Sequence, residues 1–469
     1  MLTIKLQNDE FCVTLQSHIL YNIIVMSISI KIKKGLDLKI AGAVSQGTDS
    51  VEIKPEMVAI YPDDYYGITP KPEVKEGETV MAGAPLFHDK KYENVKVVSP
   101  VTGVVKAVER GERRKIIKFV VEPDGSAEVK HFDVKTDSEE SIKNLLAESG
   151  LFAMIRQRPY GIVPKYDVQP RDIFIIGFDS APLAPDYQVL LSGKEKELEQ
   201  GVKMLSALTS GKVYFSCRPG TLDITGAEMV EIEGPHPASN ASVMINHVAP
   251  VNKGETVWVL DAVTVARIGA LALNGIPDFT AILALTGSEI KAPHYVKTVI
   301  GADFAGVLKN QISESESHKR IIAGNVLTGT AESMSGFIHY PYRQVTVIPE
   351  GDDVDEFMGW ASISPSKMSV SRSFPGHFLH RLFKPDARLN GGRRAMIMSG
   401  EYDSVMPMDI LPEYLIKAIL SRNIDQMEEL GIYEIVPEDF ALAEYVDTSK
   451  LELQKIVAEG IDYLRKELE

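Results

Sequence analysis

The residues able to do chemistry are few and scattered. Two cysteines, Cys12 and Cys217, stand far apart in a chain of 469 residues. They cannot supply the four thiolates of a cubane iron–sulfur cluster or an all-cysteine zinc site, and they suggest no disulfide framework. His236, in Gly234-Pro-His-Pro-Ala238, and His247 downstream have the ring nitrogens for a metal pair or a proton relay near neutral pH. No third ligand accompanies them at a recognisable spacing, so a turn histidine and a satisfied strand histidine are the plainer expectation and no metal site is expected. Lys90 and Lys91, in His88-Asp-Lys-Lys-Tyr92, could carry a lipoyl or biotinyl group. The Met-Lys-Met signature is missing, and an exposed turn accounts for them as well. Arg388-Leu-Asn-Gly-Gly-Arg-Arg394, with Arg381 and Lys384 close by, is the one local cationic cluster. It reads either as an exposed loop or as a patch that docks on acidic partner loops or an anionic bilayer. No Gly-x-Ser-x-Gly elbow, Walker loop or diagnostic Ser-His-Asp or Cys-His set is present, so independent catalysis is not expected.

Composition narrows the field further. Fifty Lys and Arg against 65 Asp and Glu leave a formal charge of −15, which repels phosphate backbones and argues against nucleic acid as a partner. The apolar stretch from Ile19 to Ile30 is broken by Asn22 and Ser27 and falls short of the roughly 20 residues a membrane span needs. It follows Asp9 and Glu10 rather than a basic leader, so a secretory signal is not expected and the cytoplasm is the default location. Met26 opens a second start, and residues 1–25 are left unassigned.

The elements that must position these residues fall into four modules of a multi-domain α/β chain. Residues 26–135 read as a β module of short runs broken by Gly and Pro. Val74-Lys-Glu-Gly77-Glu-Thr-Val80-Met-Ala-Gly83-Ala-Pro-Leu86 and Val98-Ser-Pro100-Val-Thr-Gly103-Val-Val-Lys-Ala-Val108 resemble the barrel-sandwich of lipoyl and biotin carriers. Residues 136–276 alternate strand and helix in a Rossmann-like α/β domain. A helix opens at a capping box, Thr136-Asp-Ser-Glu139, and ends at Gly150. Strands follow at Ile173–Gly177, Val213–Cys217, Met229–Ile232, Ser242–Val248 and Thr256–Asp261, and the helix Val263–Leu273 is closed by Gly275. Residues 277–370 read as a β-grasp, SLBB-like module, and residues 371–469 as a C-terminal helical bundle.

This order resembles one superfamily: the complex I flavin subunit that oxidises NADH, the Rnf complex C subunit, and the NqrA component of the sodium-translocating NADH:quinone oxidoreductase. The closest resemblance is to the third, the NqrA family. It rests on Gly234-Pro-His-Pro-Ala238, Thr256-Val-Trp258 with Ile268-Gly269, Ile321-Ile-Ala-Gly324-Asn-Val-Leu-Thr-Gly329 and Val405-Met-Pro-Met-Asp409-Ile-Leu-Pro412, in that order across residues 26–469. The resemblance implies a peripheral cytoplasmic subunit, tethered to the inner membrane through partner subunits. The complex would oxidise NADH, reduce ubiquinone or menaquinone and export Na⁺, using flavins and an Fe–S centre.

The resemblance also shows what has been lost. Flavin-binding relatives are glycine-rich after the first helix, where only Gly lets backbone N–H groups approach a phosphate closely. Here Gly150 is followed by Phe152, Met154, Ile155 and Arg156. That degenerate loop implies no FMN on this chain, and no cofactor of its own. Arg156, Arg158, Tyr160 and His236 are then candidates for contact with a quinone headgroup or a partner subunit, beside the simpler reading that the old pocket is filled as core. The competing functions are a lipoyl- or biotin-type carrier protein and a subunit of a soluble flavin-dependent NADH dehydrogenase.

Overall fold

A computed structural model describes residues 28–45, 47, 50–315, 317–352, 367–368, 370 and 382–468. Cys12, Arg381 and the unassigned extension up to residue 25 lie outside the described residues.

The strands Ile173–Ile176, Val213–Cys217 and Val257–Asp261 are almost wholly apolar, as strands covered on both faces must be. They form a parallel sheet in the order Ile28–Lys31, Glu228–Glu233, Val213–Cys217, Ile173–Ile176, Val257–Asp261, with Arg156–Arg158 added antiparallel at the edge. Side chains alternate between two cores. Ile173, Ile175, Phe215, Trp258 and Leu260 face the helices Glu195–Ser206 and Ala262–Asn274. Phe174, Tyr214, Val230, Val257 and Val259 face Ala241–Val248 and the C-terminal helices.

The two helices on the first face cross closely because glycine stands at both sides of the contact. A Cβ on Gly269 would lie 1.6 Å from the Glu197 carbonyl oxygen, and one on Gly201 would lie 2.1 Å from that of Val265.

The barrel-sandwich packs a four-stranded sheet (Val58–Ile60, Ile116–Pro123, Gly103–Arg110, Thr79–Val80) on a three-stranded one (Pro70–Pro72, Pro85–Asp89, Lys96–Val98). Phe87 stacks on Phe119 between the two sheets at 5.2 Å. A mixed six-stranded sheet follows, in the order Thr330–Glu332, Lys319–Ala323, Gln344–Pro349, Thr280–Thr286, His294–Val299, Ser50–Glu52.

Ile28–Lys31 and Ser50–Glu52, at the start of the first module, pair as edge strands of the parallel and mixed sheets. Three expectations need correction. Ser242–Val248, read as a strand, lies within the helix Ala241–Val248; its apolar core, Val243-Met-Ile245, is too short to carry a period that separates the two. The first helix, Glu139–Glu148, is capped by Ser138, whose Oγ accepts from Ser141 N at 3.2 Å, and not by Thr136. The C-terminal helices do not close on one another alone. Leu415, Ile416, Phe440, Val457 and Leu464 share one core with the second face of the parallel sheet.

Candidate functional site

The strand order reverses between Ile173–Ile176 and Val257–Asp261. From the first, the chain runs out through Val213–Cys217 and Glu228–Glu233, then returns on the other side. A crevice opens beyond the carboxyl ends of strands at such a switch point. Here it is a cavity of about 710 Å³. The two strand ends contribute Ile176, Phe178, Asp179 and Asp261 to its wall. Arg156, Arg158 and Tyr160 enter from the antiparallel edge strand and its turn, and His236 from the loop after Glu228–Glu233. All four candidate contact residues therefore meet in one space. Tyr340 and Arg343 close it from the mixed sheet, Asp64 from the barrel-sandwich, and Glu438 from the C-terminal helices.

The three side chains of the edge strand differ in what they have left to offer. Arg156 is committed to main-chain carbonyls: Nη1 donates to Ala153 O at 2.9 Å and Ile155 O at 3.1 Å, and Nη2 to Asp64 O at 2.6 Å. Its guanidinium also lies 5.7 Å from the centre of the Tyr340 ring. It ties three modules together. Arg158, buried, reaches Glu438 Oε1 at 3.4 Å through Nη2, while its Nε has no hydrogen-bond partner. An unpaired buried donor on a cavity wall is a group able to receive an acceptor. Tyr160 holds φ at +81°, a left-handed conformation unusual for an aromatic residue, with its ring edge-on to Tyr433.

His236 is buried, with Nδ1 3.0 Å from Ser180 Oγ, and its backbone N–H donates to Asp37 Oδ1 at 2.9 Å. Burial pushes its pKa down to about 4, so the ring is neutral near pH 7. His247 lies elsewhere, on the helix, with Nδ1 2.8 Å from Val243 O. The two do not form a pair, and no group of three or more metal-ligating side chains occurs among the described residues.

Sequence reasoning missed the charged frame of the cavity. Asp261 ends its strand and caps the next helix, accepting from Thr264 N at 3.0 Å and Thr264 Oγ1 at 2.8 Å. Burial opposes its charge, but Arg343, Thr264 and Arg267 together hold the carboxyl below the ordinary aspartate range. Arg343 Nη2 donates to Asp261 Oδ1 at 2.5 Å. Asp64 joins the barrel-sandwich to the mixed sheet, accepting from Tyr340 N at 3.0 Å through Oδ2 and standing 2.7 Å from His339 Nδ1 through Oδ1. Only Asp261, between an apolar strand and a helix, had a local signal, that of an N-cap.

The remaining candidates fall outside this site. Lys90 and Lys91 are exposed in the connection between Pro85–Asp89 and Lys96–Val98, the turn expected of them. Arg388 pairs with Asp386 and Arg393 with Glu452, and none of the four lines the cavity. Cys217 is buried, and burial pushes its thiol up to about 11, which makes it a poor metal ligand or nucleophile.

Comparison with known proteins decides the family. Models of the NqrA N-terminal barrel-sandwich hybrid domain, the NqrA second alpha/beta domain and the NQRA C-terminal domain match residues 30–124, 137–276 and 282–333. The A subunit of the Na(+)-translocating NADH-quinone reductase of Haemophilus influenzae (strain PittGG) is 34% identical over 449 residues, spanning 93% of this chain and 100% of that protein. The chain belongs to the NqrA family. The corresponding proteins of Pasteurella multocida (strain Pm70) and Neisseria meningitidis serogroup B are 34% and 33% identical, with the same coverage. A chain of an NAD+-reducing [NiFe]-hydrogenase superposes with a TM-score of 0.37 and 12% identity over 71% of this chain and 61% of that one, too loosely to carry an argument.

Within this NqrA-family chain, the loop from Gly150 to Gly161 has two halves. Leu151, Phe152, Ala153 and Ile155 have no exposed surface, Met154 is nearly buried, and Phe152 packs edge-on against Trp258 at 5.6 Å. Gly150 holds φ at +81° as the residue that ends the helix, and a Cβ there would meet Val98 at 2.9 Å. The first half is core. In the second half Arg156, Arg158, Tyr160 and Gly161 line the cavity, as Met154 does at the edge of the first.

Proposed function

We propose that this chain is the NqrA component of a sodium-translocating NADH:quinone reductase, peripheral to the complex and carrying no flavin or iron–sulfur centre of its own. The observation that carries this reading is similarity to NqrA proteins from end to end, at 34% identity over 93% of the chain. Electrons would pass from NADH through redox groups on other subunits to ubiquinone or menaquinone, with Na⁺ exported by subunits that cross the membrane. No described helix is long and apolar enough to cross one. Attachment to the cytoplasmic face of the inner membrane would therefore run through partner chains.

One feature supports the absence of flavin: the turn after the first helix carries the buried, bulky side chains of Phe152 and Ile155, where a phosphate would call for a glycine-rich cradle of N–H groups. The cavity beyond them suits a ligand of drug-like size, with apolar surface set in a frame of charged and polar side chains. A quinone headgroup would suit these groups: the Arg158 guanidinium is a donor for a carbonyl, the Tyr160 ring offers a flat wall, and neutral His236 adds no competing charge. A segment of a partner subunit would use the same groups. The test is to separate the subunits of the purified reductase and read the visible spectrum and quinone content of this chain. The reading expects no flavin absorbance; stoichiometric flavin retained by this chain would overturn it.

A further inference from the structure

Apolar side chains that stand in the open are concentrated in one region near the C-terminus. Tyr414 and Leu420 on the helix Pro412–Leu420, and Leu411 at its N-cap, are 56%, 57% and 53% exposed. Tyr414, Lys417 and Leu420 lie on the side of the helix away from Leu415, Ile416 and Ile419, which are buried in the core, and Leu411 stands at its N-terminal end. The preceding segment is held beside that face. Glu413, itself buried, accepts from Ser399 N at 3.1 Å and Gly400 N at 2.7 Å, and Lys417 Nζ lies 2.7 Å from Met398 Sδ. Ile397 and Met398 therefore extend the apolar face. Farther back, Ser449 O accepts from Arg394 N at 2.9 Å, Ser449 Oγ donates to Ala395 O at 3.0 Å, and Arg393 pairs with Glu452. From Ala387 to Gly400 there is no acidic residue, on a chain whose net charge is −15.

The result is an apolar centre (Met398, Leu411, Tyr414, Leu420) with a cationic margin (Arg393, Arg394, Lys417). Apolar centre and charged rim are the anatomy of a protein–protein interface, and Tyr, Met and Arg are the residues enriched there. A lipid surface selects a uniformly cationic face, whereas here the exposed Asp409 flanks Leu411 and Glu452 is interposed beside Arg393. Resting on the reading of the chain as a reductase subunit, we propose that this face docks on another subunit of the complex, through an apolar helix or strand bordered by carboxylates. The positive margin would set the orientation of approach and make the contact salt-sensitive, while the apolar centre would hold it.

The test uses the complex in native membranes, with a photo-crosslinking amino acid in place of Tyr414 and, separately, the double variant Tyr414→Glu, Leu420→Glu. The proposal expects a crosslink from position 414 to one polypeptide of the reductase, and an at least tenfold loss of co-purified subunits for the double variant with its thermal unfolding unchanged. Should the double variant fail to fold, the crosslink alone decides. A crosslink to lipid, or to no reductase polypeptide, overturns the docking face while leaving the subunit reading intact if the unsubstituted chain still purifies with its partners. If the unsubstituted chain purifies with none, the subunit reading fails and the docking face with it.

Discussion

Arg343 Nη2 donates to Asp261 Oδ1 across 2.5 Å, joining the mixed sheet to the end of a parallel strand with both side chains largely buried. Removing the cation leaves the Asp261 carboxylate in the interior with less compensation, and breaking one side of a buried pair costs about 3–5 kcal/mol. Arg343→Met is expected to destabilise the chain by an amount near the lower end of that range, since Arg267 also offsets the Asp261 charge. Urea unfolding measures it. A loss below about 1 kcal/mol would place the pair among weak surface contacts.

Two histidines give opposite responses to pH. His236 keeps its proton off until about 4 in the folded chain, against an ordinary value of 6.5. In that window the unfolded chain binds a proton that the folded chain does not, so stability falls as pH drops, by about 1.4 kcal/mol per unit. His236→Asn removes this slope, as urea midpoints near pH 7 and near pH 5 would show. His339 works the other way. Burial opposes its charge, but Asp64 and Glu332 on either side hold it above the ordinary histidine value. Its contribution is present below about 6.5 and lost as pH rises through the folded pKa.

Tyr160 separates packing from contact. Its left-handed backbone favours glycine, so relief of strain in Tyr160→Gly offsets some of the lost ring packing, and stability is expected to change by no more than about 1 kcal/mol. Arg158→Met removes the unpaired donor. Each variant is expected to raise the KM for quinone of the assembled reductase about tenfold, the worth of one charge-assisted hydrogen bond or aromatic wall, with NADH oxidation by artificial acceptors unchanged. Unaltered quinone kinetics in both variants would leave the cavity to a partner segment.

Phe152 tests the filled loop. Phe152→Ala is expected to cost about 3–5 kcal/mol through the cavity it leaves under Trp258, without any gain of bound flavin. Thermal unfolding and the visible spectrum check the two halves of that statement. Stoichiometric flavin uptake by the variant would mean that Phe152 alone had closed a competent cradle.

Gly269→Ala drives a methyl into the Glu197 carbonyl and must push the crossing helices away from each other. A loss of about 3 kcal/mol is expected, whereas the same substitution at Gly392, where a Cβ meets nothing within 4 Å and the backbone is not left-handed, lacks that clash. Equal effects at the two sites would contradict the close crossing. Melting temperatures of the two variants compare them directly.

Much of the frame was legible because its signals are local. Apolar strand runs, Gly150 and Gly275 at helix ends, and the repeated glycine turns of the barrel-sandwich depend on near neighbours in sequence. Arg156, Arg158 and Tyr160 stood out because their loop departs from the glycine-rich pattern the resemblance implies, and His236 through its Gly-Pro-His-Pro turn; all four line one cavity. What stayed hidden depends on distant pairing. Nothing near Arg343 points to Asp261, or near Asp64 to His339, because those partners lie 82 and 275 residues apart. Ile28–Lys31 reads like any short strand, and only the assembled sheet shows that it pairs with Glu228–Glu233. Ser242–Val248 failed for a different reason: three consecutive apolar residues, Val243 to Ile245, fit a strand as well as a helix and are too few to reveal a period.

The most direct measurement is to tag this chain in its native cells, extract the membranes with mild detergent and identify by mass spectrometry what purifies with it. The account predicts the remaining subunits of a sodium-translocating NADH:quinone reductase, in fixed proportion, with NADH-dependent quinone reduction that responds to Na⁺. A chain that emerges alone from the soluble fraction, at both low and high salt, would contradict it.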